Sequence, residues 1–141
     1  MLKAKIKTHK MGTTYSQPHF FILNKGNNSG KPMPEYCANC FVFLADDLSD
    51  KEFHYFFFQG LWQLKLFLPH LTGSVIPFIR IGDLTDLVEE ALHSVNSGER
   101  RFEDVQDALF QIEFAKDRLQ QQLSKLMQLR KSIFYSFIKT K

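Results

Sequence analysis

The fold is decided by the last third of the chain, which from Arg101 to Lys141 reads RFEDVQDALFQIEFAKDRLQQQLSKLMQLRKSIFYSFIKTK. The stretch contains no glycine or proline, and its many straight-chain residues lose little rotamer freedom in a helix. Alternating steps of four and three residues from Val105 reach ten positions, of which eight are apolar and two are Lys116 and Arg130. This spacing is a heptad seam. Its apolar members are Val105, Leu109, Ile112, Leu119, Leu123, Leu126, Ile133 and Phe137.

A helix of this length extends roughly 55 Å at about 1.5 Å per residue. The preceding part of the chain cannot easily cover such a rod, so we expect a partner: a second copy of the chain or another long helix. An antiparallel pair centred near Leu123 would bring Lys116 and Arg130 close together without an acid in the seam. That conflict favours a shifted register, a pairing with Asp117 or Glu113, or a different partner.

The composition predicts one compact domain in addition to the helix. The chain has 141 residues, 44% of them hydrophobic, and its fifteen phenylalanines can form a substantial core. No apolar run reaches the roughly 20 residues of a membrane span, and no apolar segment follows the basic N-terminus MLKAKIKTHK. We therefore expect a cytoplasmic protein without membrane contact.

The net charge of +3 conceals a strong segregation along the chain. Residues 1–34 carry six lysines and no acid, residues 118–141 carry six bases and no acid, and all fifteen acids lie between them. Basic ends of this kind predict an affinity for nucleic acid. A second interpretation stays open, because acids at the start of the long helix and bases at its end also complement the helix dipole.

Residues 1–98 show the patterns of a small mixed domain. Leu2 to Thr8 alternates apolar residues with lysines, as an edge strand does, while His19–Leu23 and Cys40–Ala45 read as buried strands. The glycine-rich stretch from Asn24 to Pro34, NKGNNSGKPMP, reads as a loop.

Two helices are predicted between these strands and the long helix. Ser49 to Glu52 forms a capping box that opens a helix from about Asp50 to Leu68, which Pro69 ends. Its buried stripe would consist of Phe53, Phe57, Leu61, Leu64 and Leu68. The stretch Ser74–Ile79 should be extended, with Pro77 confining it to a sheet edge or a bend. Asp83 should cap a helix from about Leu84 to Val95, which Asn96-Ser97-Gly98 ends. The fold class is α+β: a domain over residues 1–98 with a short sheet and two helices, then a long coiled-coil helix over residues 99–141.

The motifs of catalysis and cofactor binding are incomplete. Three residues separate Gly26 from Gly30, and Pro32 follows Lys31, so the loop lacks the P-loop spacing and its metal-binding hydroxyl.

Cys37 and Cys40 have the spacing of a zinc knuckle but no evident further ligands, unless His9 and His19 fold back towards them. A redox pair usually opens a helix, whereas a strand pattern follows here, so buried thiols are favoured. No nucleophile, base and orienting group occur as a set, and we expect neither a cofactor nor an enzyme.

Two stretches carry a resemblance to a known family. The first is GSVIPFIRIGDL, with Gly73, Ser74, Pro77, Phe78, Asp83 and Leu84, and the second is LMQLRKSI from Leu126 to Ile133. Over about residues 53–138 the chain resembles half of a specificity subunit of type I restriction–modification enzymes. The segment that joins domain and helix in that family is absent here, and SGERRFEDV stands behind an extra helix. The first fifty or so residues look like a short uncharacterised family of Bacteroidetes and their mobile elements.

The resemblance implies a DNA-recognition module that forms a homodimer through its long helix and docks methyltransferase or restriction subunits. Lys25, Lys31 and Arg80 would be its duplex DNA contacts. The lysines would bind phosphates, and Arg80, beside the GS element that begins at Gly73 and Ser74, would read a base edge. The alternative is a protein-interaction, anti-restriction or regulatory protein of a mobile element, which would bind its partner through the same helix without touching DNA.

Overall fold

Two strands that are buried on both faces form the centre of the computed structural model, which describes residues 2–96 and 103–139. Strand β2 (His19–Leu23) pairs antiparallel with strand β4 (Cys40–Leu44), which places Phe20 opposite Phe43. Aromatic and β-branched side chains favour this pleated pairing. The short strands β1 (Ile6–Thr8) and β3 (Pro32–Met33) complete an antiparallel sheet of order β1-β4-β2-β3.

The helices confirm the predicted α+β class. They are α1 (Leu2–Lys5), α2 (Leu48–Gln63), α3 (Ile81–Asn96) and α4 (Glu103–Lys139), with a 3-10 turn at Leu68–His70. The chain divides into two compact units, Met1–Glu99 and Arg100–Lys141, and the second unit contains α4. None of the helices in residues 2–96 and 103–139 combines the length and hydropathy needed to traverse a lipid bilayer.

The main core of the first unit lies between the sheet and α2. Phe20 and Phe43 stack with ring centroids 4.9 Å apart, and Phe58 of α2 meets both rings edge-on at 5.7 and 6.2 Å. All three side chains are fully buried. Burying one such ring contributes about 2–3 kcal/mol. Helix α3 adds Leu84 and Val88, which are also fully buried, and contacts β1.

The opposite face of the sheet is covered by aromatic side chains from loops. Phe21 lies on this face with Val42 and Cys40, and the rings of His9, Tyr15 and Tyr36 surround it at centroid distances of 5.0, 6.4 and 5.9 Å. Aromatic pairs of this kind contribute beyond the area that they bury. The two central strands therefore read as continuous apolar runs, because both of their faces are covered.

The expectation of an edge strand over Leu2–Thr8 is half wrong. Ile6–Thr8 is an edge strand, but Leu2–Lys5 is one turn of helix. Its lysines form ion pairs: Lys3 Nζ lies 2.8 Å from Asp86, and Lys5 Nζ lies 2.6 Å from Asp46 and 2.8 Å from Asp50. The alternation of lysine and apolar residues reflects these tertiary ion pairs as much as strand geometry.

Helix α2 begins and ends earlier than predicted. Its N-cap is Asp47, whose carboxylate accepts the Asp50 backbone N–H at 2.8 Å, so the proposed capping box at Ser49 is wrong. Its last residue is Gln63, and Pro69 lies in the following 3-10 turn. The buried stripe is shifted as well: Leu64 is 71% exposed, whereas the buried residues are His54, Phe57, Phe58 and Leu61.

Three further boundaries differ from the sequence expectations. The loop after β2 contains the two-residue strand β3. Ser74–Ile79 is not a strand of the sheet; Phe78 forms only isolated bridges, with Lys25 and Thr72. Helix α3 starts at Ile81, so Asp83 lies inside its first turn and is not its N-cap. Asn96 is the last residue of α3, while Ser97 and Gly98 lie outside the described residues, as do the ends of the predicted long helix beyond Glu103 and Lys139.

A half-buried charge network joins α2 to the end of α1. Burial raises the pKa of Asp50, but hydrogen bonds from Lys5 and from the Asp46 backbone N–H outweigh burial and hold this pKa below its usual range. Next to it, burial holds the pKa of His54 below its ordinary value, although Asp50 opposes that shift. His54 is therefore held neutral against the ring of Phe43, 4.6 Å away.

The close contact between the Gly30 backbone and the Phe67 ring gives a test of the packing. Gly30 has φ +92°, and a Cβ there would lie 2.2 Å from Cδ2 of the buried Phe67 ring. We expect Gly30→Ala to lower the free energy of unfolding by about 2 kcal/mol or more, because it adds backbone strain to a steric clash. Urea denaturation measures the loss. Gly60→Ala is the matched control: nothing lies within 4 Å of the new Cβ inside α2, and a gain of about 0.5–1 kcal/mol is expected.

The lowered pKa of His54 predicts a pH dependence of stability. Below the ordinary histidine pKa of 6.5, the unfolded chain takes up a proton that folded His54 resists, so stability falls as the pH drops from 6.5 towards the folded pKa. We expect His54→Gln, which cannot titrate, to show a smaller loss of unfolding free energy between about pH 7 and pH 5 than the wild type. Urea denaturation at several pH values measures the difference. An unchanged slope would contradict the assignment.

Candidate functional site

The glycine-rich loop between β2 and β3 is a tightly hydrogen-bonded turn. Gly26 and Gly30 adopt φ of +89° and +92°, which L-residues rarely adopt. The Ser29 hydroxyl donates to the Gly26 carbonyl at 2.7 Å, and the Gly30 N–H donates to the Leu23 carbonyl at 2.7 Å. The loop therefore has one defined conformation, and it leaves Lys25 and Lys31 exposed.

Tertiary hydrogen bonds bring the GS element beside this loop. The Gly26 N–H donates to the Pro77 carbonyl at 2.7 Å, and the Ile79 N–H donates to the Asn24 carbonyl at 3.0 Å. Lys25 is bridged to Phe78, and Arg80 is the second residue after Phe78. Two of the predicted DNA contacts, Lys25 and Arg80, thus lie on neighbouring segments although 55 positions separate them in the sequence.

The GS element itself is a closed five-residue loop. Thr72 and Phe78 exchange two backbone hydrogen bonds of 2.8 Å, and these close the loop Gly73–Pro77. Gly73 has φ +99°, and a Cβ on it would lie 2.7 Å from the Ile76 carbonyl oxygen. The loop presents Val75, 90% exposed, and Ile76, 62% exposed, at its tip.

Lys31, the third predicted DNA contact, lies against the end of α2. Its Nζ is 5.0 Å from the ring centroid of Trp62, within the range of a cation–π interaction. Trp62 borders a cavity of about 290 Å³ between the glycine-rich loop and the end of α2. We call this space the indole cavity; its polar and aromatic lining includes Asn27, Asn28, Trp62, Gln63, Lys65 and Phe67.

Lys65 occupies a backbone position that normally belongs to glycine. The Lys65 N–H donates to the Trp62 carbonyl and the Leu66 N–H to the Leu61 carbonyl, which together form a Schellman motif at the end of α2. Lys65 has φ +59°, the one positive value among the non-glycine residues that the structure describes. A lysine in this backbone conformation lowers the free energy of unfolding by about 1 kcal/mol relative to glycine. A strained residue that borders a cavity marks a functional candidate.

Four basic side chains thus lie on three adjoining segments, and we call them the basic loop surface: Lys25, Lys31, Lys65 and Arg80. All four are exposed, and none forms an ion pair with another residue in the described part of the chain. The acids Asp46, Asp50 and Asp86 are paired with Lys3 and Lys5 instead. The basic loop surface therefore keeps its positive charge available to an external anion.

The two cysteines lie on the face of the sheet that carries Phe21. Cys40 is buried, Cys37 is half-buried, and both thiols donate to backbone carbonyls at 3.2 Å. Burial raises the pKa of the Cys40 thiol, which favours its protonated form. His9 Nδ1 is 3.0 Å from the Tyr15 hydroxyl and His19 Nδ1 is 2.9 Å from the Gln17 carbonyl. Within residues 2–96 and 103–139, no group of three or more His, Cys, Asp or Glu side chains could hold a metal ion.

The long helix α4 exposes a large part of its apolar surface. Seven of the predicted seam residues are 41–77% exposed, among them Leu119 at 65% and Phe137 at 77%, and Leu109 is half-buried. Further apolar residues outside the seam are also exposed, namely Phe110, Phe114, Met127, Leu129, Phe134, Tyr135 and Ile138. An exposed patch of this size is typical of an interaction surface.

The sequence predicts Lys25, Lys31 and Arg80 as DNA contacts but does not single out Trp62 and Lys65. Both lie within the helix that the sequence predicts from about Asp50 to Leu68. The missed signal is the isolated lysine in QLKLFLP, where a helix ends without glycine. Nothing in the sequence spacing indicates that this helix end meets the Asn27–Ser29 turn.

The comparisons with known proteins give a family but no activity. A family model described as a family of unknown function (DUF6943) matches residues 6–136. No curated protein matches the chain, and no solved structure matches it.

Proposed function

We propose that the chain, which belongs to a family of unknown function, DUF6943, is a nucleic-acid-binding module that dimerises through α4. One observation supports the proposal: Lys25, Lys31, Lys65 and Arg80 lie on three adjoining segments, and no described acid forms an ion pair with them. An unpaired basic surface is the electrostatic requirement for binding a phosphate backbone.

The proposed contacts divide by chemistry. Lysine ammonium groups bind phosphates without reading sequence, so Lys25 and Lys31 give a salt-sensitive affinity. Arg80 can donate two parallel hydrogen bonds to a guanine edge. Val75 and Ile76, which the closed GS loop holds in solvent, offer apolar contacts to a groove. Duplex DNA is the proposed target.

The proposed dimer pairs two α4 helices antiparallel. Acids lie in the first half of α4 and only bases follow Asp117, so the acidic half of each helix meets the basic half of the other. A register centred on Gln121 gives complete seam layers. Its pairs are Leu119–Leu123, Lys116–Leu126, Ile112–Arg130, Leu109–Ile133 and Val105–Phe137.

This register resolves the conflict between the two seam cations. Lys116 and Arg130 face Leu126 and Ile112 of the other copy and do not face each other. Arg130 also comes beside Glu113 of the second copy, because Glu113 follows Ile112 in the sequence. A dimer supplies two basic loop surfaces, which would increase the affinity for one DNA molecule. Docking of methyltransferase or restriction subunits on the paired helices, a cytoplasmic location and the absence of catalysis belong to the same proposal.

A second candidate function is a protein-interaction role of α4 without DNA. The observation that favours it is the position of exposed apolar residues outside the seam, Phe110, Phe114, Tyr135 and Ile138. A two-helix pair leaves residues on its outer faces in water. A partner that covers them would have to be another protein, such as a component that a mobile-element regulator controls.

The DNA contacts are tested by the salt dependence of binding. We expect the full chain to bind a random duplex at low salt, and Lys25→Ala to reduce the slope of log K against log salt by about 1, since one phosphate contact is lost. Arg80→Ala should weaken binding as well. Fluorescence anisotropy of a labelled duplex measures both. Lys7→Ala, on β1 at the opposite edge of the sheet, should leave binding unchanged. Equal affinity and slope in all variants would refute these contacts.

The dimer is tested by charges in the seam. We expect the double substitution Leu119→Asp and Leu123→Asp to convert the dimer into a monomer, because these residues face each other in the two central layers and the change buries two carboxylates opposite each other in each layer. Sedimentation equilibrium measures the mass. The matched control is Gln121→Asp with Gln128→Asp, which adds the same charge on the side of the helix away from the seam. A wild-type monomer would contradict the homodimer, and a monomer that associates only with a second protein would favour the alternative.

A further inference from the structure

The indole cavity combines three kinds of group that bind different parts of one ligand. Trp62 and Phe67 supply aromatic surface, the side chains of Asn27, Asn28 and Gln63 supply amides, and Lys65 supplies a cation. Lys31 does not belong to the lining, but its Nζ lies 5.0 Å from the centroid of the indole ring and brings a second cation next to Trp62. Among the described residues, none that lines the cavity carries a carboxylate.

Each of these groups has a counterpart in a nucleotide. Aromatic rings stack on nucleobases without strong sequence preference. Carboxamides carry a donor and an acceptor side by side and match the edges of bases. Ammonium groups bind phosphate. A neutral sugar would leave both lysines without a counter-ion, and an acidic peptide would leave the indole unused.

The size of the cavity limits the ligand to one unit. About 290 Å³ is at the lower end of small-molecule sites and provides room for a single base. A base inside an intact duplex cannot enter such a cavity, because it remains stacked and paired. The ligand must therefore present an unpaired base.

We propose that the indole cavity binds one unpaired nucleotide, with its base against Trp62 and its phosphate at Lys31 and Lys65. The inference rests on the proposed nucleic-acid binding and specifies it: the basic loop surface holds the backbone, and the indole cavity takes a base from a single-stranded segment. A free mononucleotide has the same chemistry and is the alternative source.

The strained backbone of Lys65 supports a role for its side chain. Glycine would fit φ +59° without strain, and the Schellman hydrogen bonds of Lys65 and Leu66 use only backbone atoms. The lysine side chain is thus not required to end the helix. Its position at the cavity gives it a use that the local fold does not.

Trp62 makes the inference directly measurable, because it is the only tryptophan in the chain. Its fluorescence therefore reports on the indole cavity alone. We expect a single-stranded oligonucleotide to quench this fluorescence on titration into the full chain, and the duplex of the same sequence to raise the anisotropy of its own label without comparable quenching. Adenosine and uridine monophosphates test the free nucleotide, and inorganic phosphate tests for a simple anion site.

The outcomes separate this inference from the proposed function. Duplex binding without quenching by any single strand or mononucleotide would overturn the cavity assignment and leave nucleic-acid binding intact. Equal quenching by inorganic phosphate and mononucleotides would also overturn it, because no base would be recognised. Absence of binding to duplex and single strand alike would overturn the proposed function, and with it this inference.

Lys65→Gly distinguishes a binding role from a structural one. We expect it to weaken binding of the single-stranded oligonucleotide by about fivefold, as loss of one charge-assisted contact does, while its urea midpoint rises because the backbone strain is relieved. A variant that is more stable and yet binds less well cannot be explained by damage to the fold. Lys7→Ala is the control for loss of one positive charge elsewhere. Unchanged affinity in Lys65→Gly would overturn the role of Lys65.

Discussion

The ring of Phe67 lies against the backbone of Gly30, and the whole candidate site depends on this contact. Phe67 is fully buried and also stacks on Phe58, whose ring packs on the central strands. The glycine-rich turn therefore packs on the core through Phe67. Because no side chain fits between Gly30 and Phe67, the turn and the end of α2 have a fixed separation. The indole cavity is the space left beside this contact.

The charge distribution on the first unit depends on which lysines form ion pairs with acidic side chains. Lys3 and Lys5 are drawn into ion pairs with Asp86, Asp46 and Asp50, all of which lie on α2, on α3 or just before α2. The exposed Lys3–Asp86 pair adds little stability, since solvent screens it, whereas the Lys5–Asp50 pair is half-buried. Their consequence is spatial: these acids are paired at the β1 side of the unit, whereas Lys25 and Lys31 in the loop before β3 form no ion pair within the described residues. Part of the net charge of +3 thus lies unpaired beside the indole cavity.

The second unit presents a different physical problem. An amphipathic helix of 37 residues derives most of its stability from packing, and the seam side chains of α4 are largely exposed in the single chain. Burial of those side chains is the natural driving force for association. In the proposed dimer, the polarity of the charges favours an antiparallel arrangement of two copies, and the seam layers favour the register around Gln121. Aromatic residues outside the seam are the feature that a simple pair does not explain.

The sequence by itself determined the elements whose signal is local: the heptad helix, the two phenylalanine-rich strands, the glycine-rich turn and hence the α+β class. Its assignment of Lys25, Lys31 and Arg80 as DNA contacts stays a prediction. Its errors share one cause. The structure at Leu2–Lys5, at both ends of α2 and at Ser74–Ile79 depends on ion pairs, an aspartate cap, a Schellman motif and isolated bridges. The hydrophobic periodicity of the sequence does not encode the partners in these interactions. Only the tertiary structure placed the turn, the GS loop and the end of α2 side by side. Long-range contacts such as Gly26 to Pro77 and Gly30 to Phe67 decide that arrangement, and these contacts turn separate basic residues into a surface beside a cavity.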